Sequence, residues 1–399
     1  MQAIRNEALV FLIVAALVGA PAFAAGAQAP VRLASGLAGG PFGVGFTRLW
    51  LLDSTRVWTR GPASAGGGGA TARPIRVDVW YPSTATPSCV RTTLGSFLHA
   101  QAPDAYFQAA QGWIERWDTQ SLEGFAEGAG LDFDDLLAIE TLSCAGAPRA
   151  GDRHPLVVYS GGWYNRSPDN IGLAEYLASF GYVVAEVPLF GDGLWTGDLR
   201  SSPAALETQA RDVEFALGAL VDRADVDPAR VAVMGWSSGG IVALLAGARS
   251  PLVDAVIGLD PSYGNASDAP KVLTAPGFSA ESFRLPLLTL RAGNEAFSRR
   301  DRSTVLNALR FADRLTADVG RGSHGDFSDD VLLASALSIT RPGEPRTAAE
   351  GLAAYRGTLG TVRQFLEAVF SRQASLLDSL VARPPAPLRM TRTAPSSGR

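Results

Sequence analysis

Gly235-Trp236-Ser237-Ser238-Gly239 follows the apolar run Val231-Ala232-Val233-Met234, and that spacing can make a nucleophile. A buried strand that turns sharply around a serine and enters a helix lifts the hydroxyl above a parallel sheet. Glycines two residues to either side remove the Cβ atoms that would collide in so tight a turn. A serine hydroxyl alone is a weak nucleophile and needs a base to take its proton. The chain has three histidines, His99, His154 and His324, and only His324 follows the elbow. In such sites the acid and the histidine ride on loops after later strands, so His324, in the glycine-rich segment 320–327, is the candidate base. Elsewhere a lone histidine would read as a surface or core residue.

Two carboxylates compete to orient the imidazole. Asp260 ends the apolar run Ala255-Val256-Ile257-Gly258-Leu259, and open α/β sheets gather active-site groups at that end of a strand. Glu295 follows a later candidate strand, Pro286-Leu287-Leu288-Thr289-Leu290. Their plain structural readings are a loop cap before Pro261 and a solvated turn residue. Upstream, the strand pattern His154-Pro155-Leu156-Val157-Val158-Tyr159 runs into Ser160-Gly161-Gly162-Trp163-Tyr164. Small residues there leave backbone N–H groups to face an oxyanion, with Gly162 or a neighbour as one donor and Ser238 as the other. Trp163, Tyr164 and Trp236 are candidate pocket residues. Neither cysteine sits in a metal-ligand pattern, and no metal or organic cofactor is expected.

Strand and helix patterns alternate from Leu156 to His324, which indicates one α/β domain with decorations. Strands are expected at 156–159, 182–188, 231–234, 255–259, 286–290 and 315–319, with helices near 171–180, 206–220 and 241–248. Phe46 to Asp53 and Ile75 to Tyr81 alternate as half-buried strands and are expected to form an antiparallel hairpin at the sheet's leading edge. Segment 90–145 reads as a helical insertion before the oxyanion strand, and 348–380 as one or two closing helices. The loop 190–195, Phe-Gly-Asp-Gly-Leu-Trp, is expected to rim the pocket. Residues 382–399, rich in proline and serine, read as a disordered tail.

Composition sets the outer bounds. With 399 residues, 47% of them hydrophobic, the chain can bury a large core. A net charge of -4 carries no basic footprint, so nucleic acid is not an expected partner. Arg5, the apolar run from Ala8 to Ala20, and Ala22-Phe23-Ala24 have the form of a signal peptide over residues 1–24. The apolar run is short for a membrane span, so a secreted or periplasmic mature domain, 25–381, is expected without a stable membrane span. In an oxidising compartment Cys89 and Cys144 can pair; the alternative is two buried thiols.

Taken together, these segments resemble the α/β-hydrolase superfamily, and within it the platelet-activating factor acetylhydrolase and dienelactone-hydrolase-like group. The resemblance runs from about Gly43 to Phe327. It is carried by Arg73-Pro74-Ile75-Arg76-Val77-Asp78-Val79-Trp80-Tyr81-Pro82, by Pro155 to Gly162, by the elbow, by Gly258-Leu259-Asp260-Pro261, and by Gly322-Ser323-His324 with Asp326-Phe327. It implies a mostly parallel central sheet with helices on both faces and an antiparallel leading edge. It further implies a Ser237–His324–Asp260 triad, with Asp260 rather than Glu295 as the acid, and oxyanion donors at Gly162 and Ser238. The implied activity is hydrolysis of short-chain or lipid-like esters. Ser160 stands where that group commonly has histidine, which alters pocket polarity but not the triad. The same residues would also serve an amidase or peptidase, and a non-catalytic hydrolase-like binding protein is the rival outside the enzyme class.

Overall fold

The computed structural model describes residues 30–58, 71–84, 89–163, 166–189, 202–293, 303–320, 322–341 and 346–397. The expected signal peptide, the loop 190–195, Tyr164 and Glu295 lie outside the described residues.

Eleven strands are described: β1 (Gly43–Trp58), β2 (Thr71–Ser83), β3 (Arg91–Thr93), β4 (Glu140–Ala145), β5 (His154–Ser160), β6 (Val183–Val187), β7 (Val226–Trp236), β8 (Ala255–Leu259), β9 (Leu287–Arg291), β10 (Arg314–Asp318) and β11 (Arg389–Thr393). They form one sheet in the order β11-β10-β9-β8-β7-β5-β6-β2-β1-β4-β3. From β6 through β5, β7, β8 and β9 to β10 every pairing is parallel. Both faces of that stretch are covered, which is why its strands read as continuous apolar runs rather than alternating ones.

Period-2 geometry divides those runs between two cores. Val157, Met234, Ile257 and Leu288 pack with Leu359, Val362 and Phe365 of the helix Ala348–Phe370. Their neighbours Leu156, Val158, Val233, Val256 and Leu287 pack against Val213 and Leu217 of the helix Pro203–Val221 and against Leu244 of the helix Ser238–Arg249. The last helix is apolar nearly all round and almost wholly buried, so it is gripped from several sides and fixes the turn that precedes it.

Three expectations need amendment. The β1–β2 hairpin forms in antiparallel register, Phe46 opposite Trp80, but β1 is not the edge, because β4 pairs with it and β3 with β4. The insertion holds the helices Leu94–Leu98, Ala105–Ala129 and Phe133–Leu137, and then becomes strand where helical spacing was expected to continue. Gly130, left-handed at φ 67°, ends the long helix, and Cys144 on β4 is joined to Cys89 with a Cα–Cα distance of 5.7 Å. The carboxyl-terminal segment is not a disordered tail: β11 pairs antiparallel with β10. Leu388 is buried there, and Arg392 holds Asp313 of the neighbouring strand's approach through Nε at 2.9 Å. Proline-rich composition hides these few anchoring side chains.

Candidate active site

Ser237 sits between β7 and the helix Ser238–Arg249 with φ 55° and ψ -120°, a backbone conformation that costs a non-glycine residue about 1–3 kcal/mol. The surroundings hold it there. Its N–H donates to the Leu259 carbonyl at 3.0 Å, and its own carbonyl accepts from Ser262 N at 2.7 Å and Gly240 N at 3.1 Å. The glycines are required by close backbone approach: a Cβ on Gly235 would stand 2.0 Å from the Gly239 oxygen, and one on Gly239 2.1 Å from the Ser160 oxygen.

Asp260 follows β8 and is also left-handed, at φ 39°. Its N–H donates to Leu290 O at 2.8 Å, so the loop is pinned across to β9. One carboxylate oxygen, Oδ1, accepts the Ala292 N–H at 2.8 Å, and the other, Oδ2, lies 2.6 Å from Nδ1 of His324. Asp260 is 7% exposed. A carboxylate so placed holds the proton on Nδ1 and leaves Nε2 as the ring's acceptor nitrogen.

His324 opens the short 3-10 turn His324–Phe327 after β10. Its ring stacks on Trp236, with centroids 5.0 Å apart, and the Trp236 indole N–H donates to the His324 carbonyl at 3.2 Å. Asp326, fully buried two residues on, accepts the Ser323 N–H at 2.8 Å and pairs with both Arg341 and Arg346. That double pairing anchors the loop from below. Ser237, Asp260 and His324 border one cavity of about 160 Å³, with Ser262, Asn265, Thr289 and Arg291 among its other walls. The Ser262 hydroxyl lies 3.4 Å from that of Ser237.

The other two histidines are elsewhere. His99 is exposed beside Glu115, and His154 is buried, its Nδ1 against the Gly181 carbonyl and its pKa pushed down by that burial. The expected pocket aromatics are not walls of the described cavity: Trp236 is buried between the histidine ring and Gly162, where a Cβ would meet the indole at 2.4 Å, and Trp163 is half-buried outside it.

The oxyanion assignment needs correction at one of its two positions. Ser238 begins its helix, where the first backbone N–H groups have no intrahelical partner. Gly162, by contrast, already donates its N–H to Oδ2 of Asp169 at 2.9 Å. A glycine pair shows where the chain is slim, not which way its amides point. Asp169 is a residue that the sequence reading missed, since nothing near it in the chain sets it apart from an ordinary turn residue before a helix. It is fully buried and accepts the Tyr159 hydroxyl at 2.7 Å on its other oxygen. Burial pushes its pKa up to about 6, against the pull of the Gly162 and Tyr159 hydrogen bonds and of Arg166.

The sequence profile of the prolyl oligopeptidase family matches residues 172–268, the stretch that holds Ser237 and Asp260. No curated protein sequence matches the chain. Among solved structures, it is similar to the ferulic acid esterase from Streptomyces cinnamoneus, at 23% identity over 91% of this chain and 99% of that one, with a TM-score of 0.62. The parallel stretch with helices on both faces, the strained turn after β7 and the shared architecture together show that the chain has the α/β-hydrolase fold.

Proposed function

We propose that the protein is an exported serine hydrolase that cleaves carboxylic esters through Ser237, His324 and Asp260. The observation that carries this reading is the 2.6 Å pairing of Asp260 with His324 Nδ1 on the wall of the cavity that Ser237 enters from its strained turn. His324 Nε2 takes the proton of Ser237 as its oxygen attacks the ester carbonyl. The tetrahedral oxyanion lies against the N–H of Ser238 and, with Gly162 committed to Asp169, against the next amide along, that of Trp163. Collapse expels the alcohol, which receives the proton from the imidazolium, and water activated by the same ring releases the acid. Asp260 keeps the imidazole in the required tautomer throughout.

Ester rather than amide hydrolysis draws support from the likeness to a ferulic acid esterase, and membership of the platelet-activating factor acetylhydrolase-like group from the position of the acid. It follows β8, the strand beside the nucleophile strand β7, in the segment Gly258-Leu259-Asp260-Pro261 that carries the resemblance. Export draws support from the residue pattern of 1–24 and from the Cys89–Cys144 disulfide. A second reading, peptide hydrolysis by the same triad, is favoured by the prolyl oligopeptidase profile over 172–268. The test is turnover of p-nitrophenyl esters of graded acyl length beside an anilide and a peptide substrate. Ester turnover that vanishes in Ser237→Ala supports the reading. Wild-type rates in that variant sink it, and anilide or peptide rates above those of the esters select the peptidase.

A further inference from the structure

We infer that Asp169 is a positioning residue for the oxyanion turn, clamping the Gly162 amide so that the next one, Trp163 N–H, faces the reacting carbonyl. This rests on the serine-hydrolase reading of the site. The turn itself has little stiffness: Gly161 and Gly162 are two successive residues without side chains, and such a turn samples many conformations. An oxyanion donor works by being fixed before charge develops. Something outside the turn must therefore fix it.

Asp169 is built for that task. It touches the turn at two points: it accepts the Gly162 N–H at 2.9 Å, and its Oδ2 lies where a Cβ on Gly161 would stand only 2.8 Å away. On the opposite side Gly162 is packed against the Trp236 indole, which stacks on His324. The turn is thus pressed between a carboxylate and the ring that carries the base.

The same segment reaches the histidine loop directly. The Asp169 carbonyl accepts Asp329 N–H at 2.9 Å, and Asn170 Nδ2 donates to the Phe327 carbonyl at 2.7 Å. Asn170 Oδ1 in turn accepts the Tyr355 hydroxyl at 2.7 Å, so the segment is locked to the helix Ala348–Phe370. Oxyanion turn and histidine loop, far apart in the chain, are referenced to one pair of residues. A carboxylate accepts from Gly162 N–H and Tyr159 O–H at once, one per oxygen; an amide has a single acceptor oxygen. Burying a charge where a neutral group would cost less points to a use for both acceptors.

The experiment measures kcat and KM for p-nitrophenyl acetate, normalised to active sites titrated with a fluorophosphonate, in Asp169→Ala and Asp169→Asn. Asp169→Ala is expected to lower kcat about 10²-fold, the scale of one lost oxyanion donor, with KM within about threefold. Asp169→Asn keeps one acceptor for Gly162 and lets the Tyr159 hydroxyl reverse, so about a tenth of the wild-type kcat should return at unchanged Tm. Glu175→Gln, another buried carboxylate-to-amide change, whose carboxylate is bonded to Ser143 in β4 and not to the turn, serves as the structural control and should leave kcat unchanged. If Asp169→Ala does not fold, Asp169→Asn decides alone. A kcat within twofold of wild type in the folded variants overturns the proposal, as does an effect confined to KM. Retention of turnover by Ser237→Ala would instead overturn the reading of the site, which separates the two failures.

Discussion

Replacing Asp260 by asparagine changes one atom's chemistry and hardly any volume, and the structure dictates which way the new amide must lie. Oδ1 of Asp260 accepts the buried Ala292 N–H at 2.8 Å, a donor that cannot be turned away. The amide oxygen must take that position, so its NH₂ occupies the Oδ2 position, 2.6 Å from His324 Nδ1. Facing a donor, Nδ1 becomes the acceptor and the ring proton moves to Nε2, where it blocks removal of the Ser237 proton. A histidine held in the wrong tautomer costs about 10⁴ in kcat, which at about 1.4 kcal/mol per tenfold is about 5.5 kcal/mol of transition-state stabilisation. Steady-state hydrolysis of p-nitrophenyl acetate measures it, with thermal denaturation as the check that the isosteric variant is folded. Glu295→Gln in parallel should stay within about twofold of wild type. If Asp260→Asn keeps more than a tenth of wild-type kcat, or Glu295→Gln loses as much as Asp260→Asn, the acid has been misassigned and the tautomer argument fails with it.

Other consequences follow from packing and charge. Gly239→Ala puts a Cβ 2.1 Å from the Ser160 carbonyl oxygen, backbone against backbone, so a loss of about 3 kcal/mol in stability is expected by denaturant titration; a Tm within 2 °C of wild type would contradict it. Asp118 is buried, its Oδ1 accepting Ser167 N–H at 2.8 Å, and burial pushes its pKa up to about 7 from an ordinary value of 3.8. The folded state therefore holds more protons than the unfolded chain between about pH 4 and 7, and this group's contribution to stability falls as pH rises through that window. Asp118→Asn should raise Tm most at pH 8.5, about half as much at pH 5.5 and little near pH 4; the reverse pattern would show that the charged form is the favoured one. Reduction of the Cys89–Cys144 bond, which closes 55 residues of separation, should cost about 4 kcal/mol on the chain-entropy account; an unchanged Tm under dithiothreitol would show that the unfolded chain is not what the bond restrains.

What the sequence made legible shares one property: it is local. The turn around Ser237 needs slim residues two positions away on either side, because the atoms they would strike belong to the same few residues or to the strand end beside them. The buried strands from β5 to β10 announce themselves as short apolar runs, because both of their faces are covered. His324 was singled out by elimination and by chain order, and only its partner depended on contacts that no spacing encodes. β4 is hidden inside a helical pattern because six residues without a clean alternation are too few to outweigh their helical neighbours. β11 was hidden because pairing to β10, not composition, is what orders it.

Gly162 marks where local information ends. Glycines mark close approach, and the approach is real: a Cβ there meets Trp236, and one on Gly161 meets Asp169. Yet the direction of an amide is set by whatever accepts it, and that acceptor lies seven residues on, in a segment whose own anchors belong to the histidine loop and the helix Ala348–Phe370. A strained nucleophile turn can be written into a handful of residues, because steric exclusion acts at short range. Preorganised donors need a rigid frame, and a frame is by construction a set of contacts between distant parts of the chain. Buried polar groups such as Asp169, Asn170, Asp326 and Asp329 are the places where such frames are fixed, since each must satisfy its hydrogen bonds in one arrangement only.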